Sequence, residues 1–425
     1  LYVIRYEPTG GVVAGTIRDG VDGTEVPGGR VVALQDGAET LVGEDGGFAL
    51  LAEAGPVTLR VSAFGYATRI LEVGSMTLGG RIDVDPMLDR LPRVELTGTV
   101  SAAGGGAVEG ATVRVDGSTL SVETGPDGTF AFPDVAVGQQ IVTADAFGYS
   151  PAETRLVLAA GVGGTADLTL DPAPFADDAE ADRGWSLGVG GDTASNGQWT
   201  RVDPVGTTSG GNAVQPEDDA TAAPGTTAFI TQQANPGSTA ESNDVDGGVT
   251  TLLSPTLSLE GLGAARLNYE RWFAEFGSFG SGTFTAQVSN DNGSSWTTVD
   301  TLTSTANRWT GRGVDLGSTA GALTDATRVR FRVQSSGGLF DQFVVIEGGI
   351  DQVEVESGCR TRFNPAAPDG DSDGEADGCD ACPADAGNDV DGDGLCADCL
   401  LYTSPSPRDC VSNLVCRLLL EKGGG

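Results

Sequence analysis

Histidine is absent from all 425 residues, lysine occurs once, at Lys422, and methionine occurs twice. Without an imidazole there is no histidine general base for a serine or cysteine hydrolase triad and no imidazole ligand for zinc. Chemistry that uses carboxylates alone, such as the acid and nucleophile pair of a glycosidase, is not excluded by this count. Basic residues are also scarce: 24 Lys and Arg stand against 60 Asp and Glu, a formal charge of -36. Nucleic acid and anionic lipid are bound through Lys and Arg patches that displace counterions, so neither is an expected partner. No uninterrupted apolar run reaches the roughly 18 residues that a membrane-spanning helix needs. Helix-favouring runs are few as well.

Glycine, at 65 residues, is what the chain has in abundance. Short Val, Thr, Leu and Phe segments are repeatedly cut by Gly, Pro, Asp and Asn, the texture of all-β modules. The length suits three or four domains, each able to bury its own core. The expected fold class is therefore all-β: tandem β-sandwiches, two of about seven strands and then a larger one of jelly-roll type, followed by an irregular repeat.

An internal repeat organises the first part. Gly15-Thr16 recurs as Gly98-Thr99, Asp45-Gly46-Gly47-Phe48 as Asp127-Gly128-Thr129-Phe130, and Phe64-Gly65-Tyr66 as Phe147-Gly148-Tyr149, at offsets of 83, 82 and 83. Asp-Gly supplies the positive φ of a tight turn and the following Phe begins an inward-facing strand. Phe-Gly-Tyr places two aromatics around a residue without a side chain, as at a strand end closing a core. The units are expected to span residues 10–91 and 92–172, with 1–9 expected to be a remnant of an upstream region. On these landmarks each resembles the carboxypeptidase regulatory-like domain, a transthyretin-like sandwich grouped with carbohydrate-binding-like folds. The resemblance implies support, spacing or weak binding of glycan or protein beside a catalytic or transport domain.

The Pro and Ala linker at 171–175 opens a further domain, 175–357, that holds all five tryptophans: Trp185, Trp199, Trp272, Trp296 and Trp309. Most are expected in the core, and 349–355 is its expected closing strand. Trp199-Thr-Arg-Val-Asp203-Pro204, Gln215-Pro216-Glu217-Asp218-Asp219, Asp244-Val-Asp246-Gly-Gly, Leu253-Ser254-Pro255 and Ser289-Asn-Asp-Asn-Gly293 resemble the jelly-roll domains appended to secreted bacterial zinc carboxypeptidases. That resemblance implies a structural calcium that Asp351, with Asp203 or Asp246, could hold. The bland alternative makes these acids turn and cap residues.

Residues 369–380 carry the pattern with the most specific chemical demand. Asp369, Asp371, Asp373, Asp377 and Asp380 fall at relative positions 1, 3, 5, 9 and 12, with Gly374 at 6. Alternate residues of such a loop face a common centre, and six to eight hard oxygens suit calcium better than magnesium. A shorter second copy has Asp389, Asp391 and Asp393. Empty, so dense a run of acids would repel itself. The segment 359–399 resembles a truncated thrombospondin type 3 repeat, and the resemblance implies calcium at these eight aspartates and disulfides between repeats. Cys379-x-x-Cys382 and Cys396-x-x-Cys399 also have the spacing of a four-cysteine zinc site, but a zinc ribbon has no use for the aspartates. Residues 400–425, where the only lysine and the run Leu418-Leu419-Leu420 occur, resemble translated sequencing-adapter read-through and are expected to be non-native.

The expected function is that of a non-catalytic accessory region of a secreted or cell-surface bacterial protein. It would give calcium-stabilised spacing, surface attachment or weak contact with a cell-surface glycan or protein. A calcium-dependent adhesin and a glycan-active jelly-roll are the alternatives, the latter requiring two inward carboxylates about 5 to 10 Å apart.

Overall fold

In a computed structural model the described residues are 10–357, apart from 236, 263–264, 278–280 and 337–343. They are almost wholly strand and turn, with one 3-10 turn at Ala240–Ser242 and one five-residue helix at Leu316–Ala320. They fall into two compact units. One contains residues up to Ser101, Ala107–Thr143 and Glu153–Leu168; the other contains Ala102–Gly106, Ala144–Ala152 and Thr169 onward.

The first unit shows the duplication strand for strand. In repeat one, Gly10–Thr16 lies between an antiparallel partner, Gly47–Glu53, and a parallel one, Arg81–Asp83. In repeat two, Arg93–Ala102 has Thr129–Ala136 and Gly164–Thr165 in the same two roles. Opposite each stands a second sheet: Glu39–Leu41, Arg30–Ala33, Gly55–Ser62 and Arg69–Met76 in that order, and likewise Ser121–Glu123, Thr112–Val115, Gly138–Asp145 and Ala152–Leu158. The apolar side chains alternate inward, and Val13, Ile17, Val31, Phe48, Leu59 and Leu88 form the core of repeat one. Each repeat holds nine strands rather than seven, because two-residue pairings such as Arg18–Asp19 with Met87–Leu88 are too short for any periodicity to mark.

The three landmarks have separate duties. Gly15 and Gly98 sit where the parallel strand crosses closely: a Cβ at Gly15 would lie 1.6 Å from the Val84 carbonyl oxygen, and one at Gly98 1.8 Å from that of Ala166. The next amide, Thr16 or Thr99, donates to Asp85 (2.9 Å) or Asp167 (3.0 Å). At the Asp-Gly turns Gly46 and Gly128 have φ of 70° and 75°, while Asp45 and Asp127 accept from the amide two residues on. Phe48 and Phe130 follow, both buried. Phe64-Gly65-Tyr66 is a turn with Gly65 at φ 82°, and its Tyr66 hydroxyl donates to buried Asp19 (2.8 Å).

In the second unit two sheets face each other. One has the order Trp199–Val202, Ala228–Thr231, Val344–Ser357, Ala265–Gly277, Thr310–Asp315, with Phe175–Asp177 also beside Val344–Ser357. The other has the order Ser186–Leu187, Val249–Leu253, Arg328–Ser335, Gly282–Ser289, Thr297–Leu302. Between them Trp185, Trp199, Phe229, Tyr269, Phe273, Phe284 and Phe331 form an aromatic-rich core. Phe331 touches Trp185, Tyr269 and Phe284 at centroid distances of 6.0, 4.9 and 6.2 Å. Trp272 packs instead on the far side of the first sheet, with Val214, Ala274 and Val345, and donates to the Val214 carbonyl (2.6 Å).

The closing strand, expected over 349–355, runs from Val344 to Ser357. Its inward residues are Val344, Ile346 and Ile350, then Val353 and Val355, so the alternation changes parity once. Gln352, at φ 46°, makes the change. Opposite Asn268 to Glu270 one extra residue is fitted between Asp351 and Glu354, a β-bulge.

Candidate functional site

The eight aspartates at 369–393, the cysteines and the tail all lie outside the described residues. Asp351, Asp203 and Asp246 lie inside, and the structure does not gather the three. Asp203 is exposed, Asp246 is half-buried in a bridge with Asn196, and the acid nearest in effect to Asp351 is Asp219. Among the described residues no three His, Cys, Asp or Glu side chains converge so as to hold a metal ion.

Because of the parity change, the outward side of the closing strand carries Glu347, Asp351, Glu354 and Glu356, all buried under neighbouring segments. Their environments differ. Glu347 accepts from the Thr231 hydroxyl (2.6 Å), and burial, with Asp244 adding to it, pushes its carboxyl well above the ordinary range. Asp351 accepts from the amides of Ala220 (2.8 Å) and Gln352 (2.7 Å) and from the Thr221 hydroxyl (3.2 Å). Burial nevertheless raises it to about 7, Asp219 helping. Glu354 accepts from the Gly148 amide (2.9 Å), and Ser150 and Ser357 bond hydroxyl to hydroxyl (2.8 Å), so the segment 144–152 is tied onto this strand. Glu356, facing Glu354 and Asp145, is raised to about 9, burial being the larger cause. Of these acids, Glu347, Asp351 and Glu354 are taken up by protein donors, the last two fastening loops to the sheet.

The opposite sheet presents a face of the other sign. Along its central strand the sequence Arg328-Val-Arg330-Phe-Arg332-Val alternates strictly, so Val329, Phe331 and Val333 enter the core while the three arginines line the outer side. Arg332 stands opposite Thr251 and Thr285, Arg330 opposite Leu253 and Gln287, and Arg328 opposite Ser289. Arg330 is fixed twice: its Nε donates to the Gln287 side-chain oxygen (2.7 Å), and its guanidinium lies 4.0 Å from the centroid of Trp296. Burial, and then Arg332 beside it, lower the Arg330 guanidinium to about 10, Asp192 acting weakly the other way. Asp192 itself accepts from Thr251 and from the Val189 amide. Trp296 is held by the loop before it: Asp291 accepts from the Ser295 hydroxyl (2.6 Å) and amide (2.8 Å) and from the Ser289 hydroxyl (2.7 Å), which hold its carboxyl down at about 2. Among the described residues no carboxylate forms an ion pair with any of the three arginines. Sequence reasoning missed this face, although the Arg-x-Arg-x-Arg alternation was there to find it.

A family model for the carboxypeptidase regulatory-like domain matches residues 95–171, within the second repeat. No curated protein matches the chain. Among solved structures it is similar to the Bacillus anthracis TIE protein, at 18% identity over 38% of this chain and 34% of that one, with a TM-score of 0.18. It is also similar to a streptococcal ancillary pilin (13% identity, 39% and 63%, TM-score 0.22) and to GBS52, the minor pilin of Streptococcus agalactiae (10%, 39% and 97%, TM-score 0.23). The chain thus spans 34% of the first of these structures and 63% of the second. Among the described residues no helix is long and apolar enough to cross a membrane.

Proposed function

We propose that the chain is a non-catalytic accessory region of a secreted or cell-surface bacterial protein, of the kind that accompanies a peptidase. Its sandwiches act as spacers and weak binding modules, and its aspartate segment takes calcium. The observation that carries this reading is the duplication: a sandwich matched by an accessory-domain family is preceded by a second of the same topology, with the same close-approach glycine and the same aspartate on the next amide. Calcium rests on the spacing of Asp369, Asp371, Asp373, Asp377 and Asp380 around Gly374, repeated in part by Asp389, Asp391 and Asp393.

Isothermal titration of calcium into the whole chain tests it, with magnesium and zinc in parallel under oxidising conditions. Saturable calcium binding that disappears in the Asp371→Ala, Asp373→Ala double variant is the expected result. Silence toward calcium, or zinc binding that requires reduced cysteines, refutes the calcium part of the reading.

A further inference from the structure

We propose that the outer face of the five-stranded sheet, along Arg328, Arg330 and Arg332, binds an extended uronate-bearing polysaccharide. The inference deepens the accessory reading above and rests on it for its biological setting, though the surface stands on its own geometry.

Three observations select the ligand. The first is charge. Three arginines stand in one row on one face, and none of them forms an ion pair with a carboxylate among the described residues. Alternate residues of a strand are about 6.6 Å apart, so the row runs about 13 Å. That length suits a polymer with repeated anions better than a single small anion. The second is topology. Arg328–Ser335 is the central strand, and its backbone groups are used by Val249–Leu253 on one side and Gly282–Ser289 on the other. An acidic peptide could not add to it as a strand, which leaves side chains as the only contacts. The third is composition. Beside Arg332 stands half-buried Thr285, whose hydroxyl suits a sugar hydroxyl, while Thr251 is buried against Asp192 and Gln287 is taken up by Arg330 and Thr298. The guanidinium is a planar fork that takes a carboxylate through two parallel hydrogen bonds, and Arg330 is already oriented by Trp296 and Gln287, so little side-chain freedom is lost on binding.

The test is affinity electrophoresis of the whole chain through gels containing polygalacturonate, neutral dextran or inorganic polyphosphate. It is run at about 0.15 M salt, where charges are screened beyond roughly 8 Å, and in EDTA. The chelator leaves the aspartate segment empty, so failure here is independent of the calcium titration. The expected result is retardation by polygalacturonate and not by dextran, weakened about tenfold by Arg330→Gln and again by Arg332→Gln. Arg330→Lys should restore only part of it, since the charge stays and the fork is lost. Arg114→Gln, an equal loss of charge at an exposed position of the other unit, should leave it unchanged. Thermal melts of each variant separate lost binding from lost folding: a weakened variant that melts as the parent does supports the site. No retardation of the parent overturns the proposal, as does retardation that Arg330→Gln leaves intact in a folded variant. Binding of polyphosphate in preference to polygalacturonate overturns the choice of a glycan.

Discussion

Asp351 makes the stability of the second unit depend on pH in a direction opposite to that of most proteins. Its side chain is fully buried and its carboxyl titrates at about 7 in the folded chain, whereas an unfolded aspartate titrates near 3.9. Between these values the folded state holds a proton that the unfolded state has released. Stability contributed by this group is therefore complete below about pH 4 and falls as pH rises to 7. Over the whole interval of about 3 pH units the loss is about 4 kcal/mol, and between pH 5 and 8 it is about 2.5 kcal/mol. For a domain of this size that is a fall in Tm of about 5 to 10 °C. The groups held near 2, such as Asp291, exert their effect only below pH 4 and leave this window clear. The assay is calorimetry of the whole chain in EDTA at half-unit steps from pH 5 to 8, for the parent and for Asp351→Asn. Glu356 also loses stability over this range, so the informative quantity is the difference between the two curves. It should change by about 2.5 kcal/mol with an inflection near 7. Parallel curves would refute the assignment of the proton to Asp351.

Other perturbations follow from the same geometry. Gly15→Ala and Gly98→Ala force a methyl group onto the Val84 and Ala166 carbonyls and should each cost about 3 kcal/mol in the first unit, read as a lowered urea midpoint. Phe331→Ala opens a hole among Trp185, Tyr269 and Phe284 and should cost about 4 kcal/mol in the second unit, with a loss of near-ultraviolet circular dichroism. Glu347→Gln removes a buried carboxyl that must be protonated to fold, so it should raise Tm at pH 8 and change it little at pH 4.5, whereas Thr231→Val should lower Tm at both.

The duplicated sandwiches were legible because their landmarks are backbone requirements. A positive φ at Gly46 and Gly128, or a carbonyl pressed against Gly15 and Gly98, admits one residue type, and a requirement that strict repeats visibly along a chain. The two-residue strands were not legible, since a pairing such as Arg18–Asp19 with Met87–Leu88 is fixed by what lies across the sheet and not by any local pattern. The closing strand was cut short for a related reason. Sequence alternation places Val353 and Val355 in one register and Ile346 and Ile350 in the other, and only a bulge at Gln352 makes them a single strand. A slip of one residue in an apolar alternation, flanked by acids, is the sign that would have revealed it.

The acids and the arginines of the third sandwich show how a net charge misleads about binding. A charge of -36 describes the long-range field, and at physiological ionic strength that field decays within about 8 Å. What a ligand meets at contact is set by which residues share one face of one sheet. Here four acids of the closing strand are buried, three of them accepting from amides and hydroxyls, so they contribute to the count and little to the surface. Arg328, Arg330 and Arg332 add only three to the basic count, but alternation brings all of them to one side of a central strand. Composition therefore speaks only to repulsion of polyanions at a distance, and says nothing against a local cationic row. Such a row would act only after close approach, which predicts slow association at low salt and faster association as salt screens the repulsion, until screening reaches the contacts themselves.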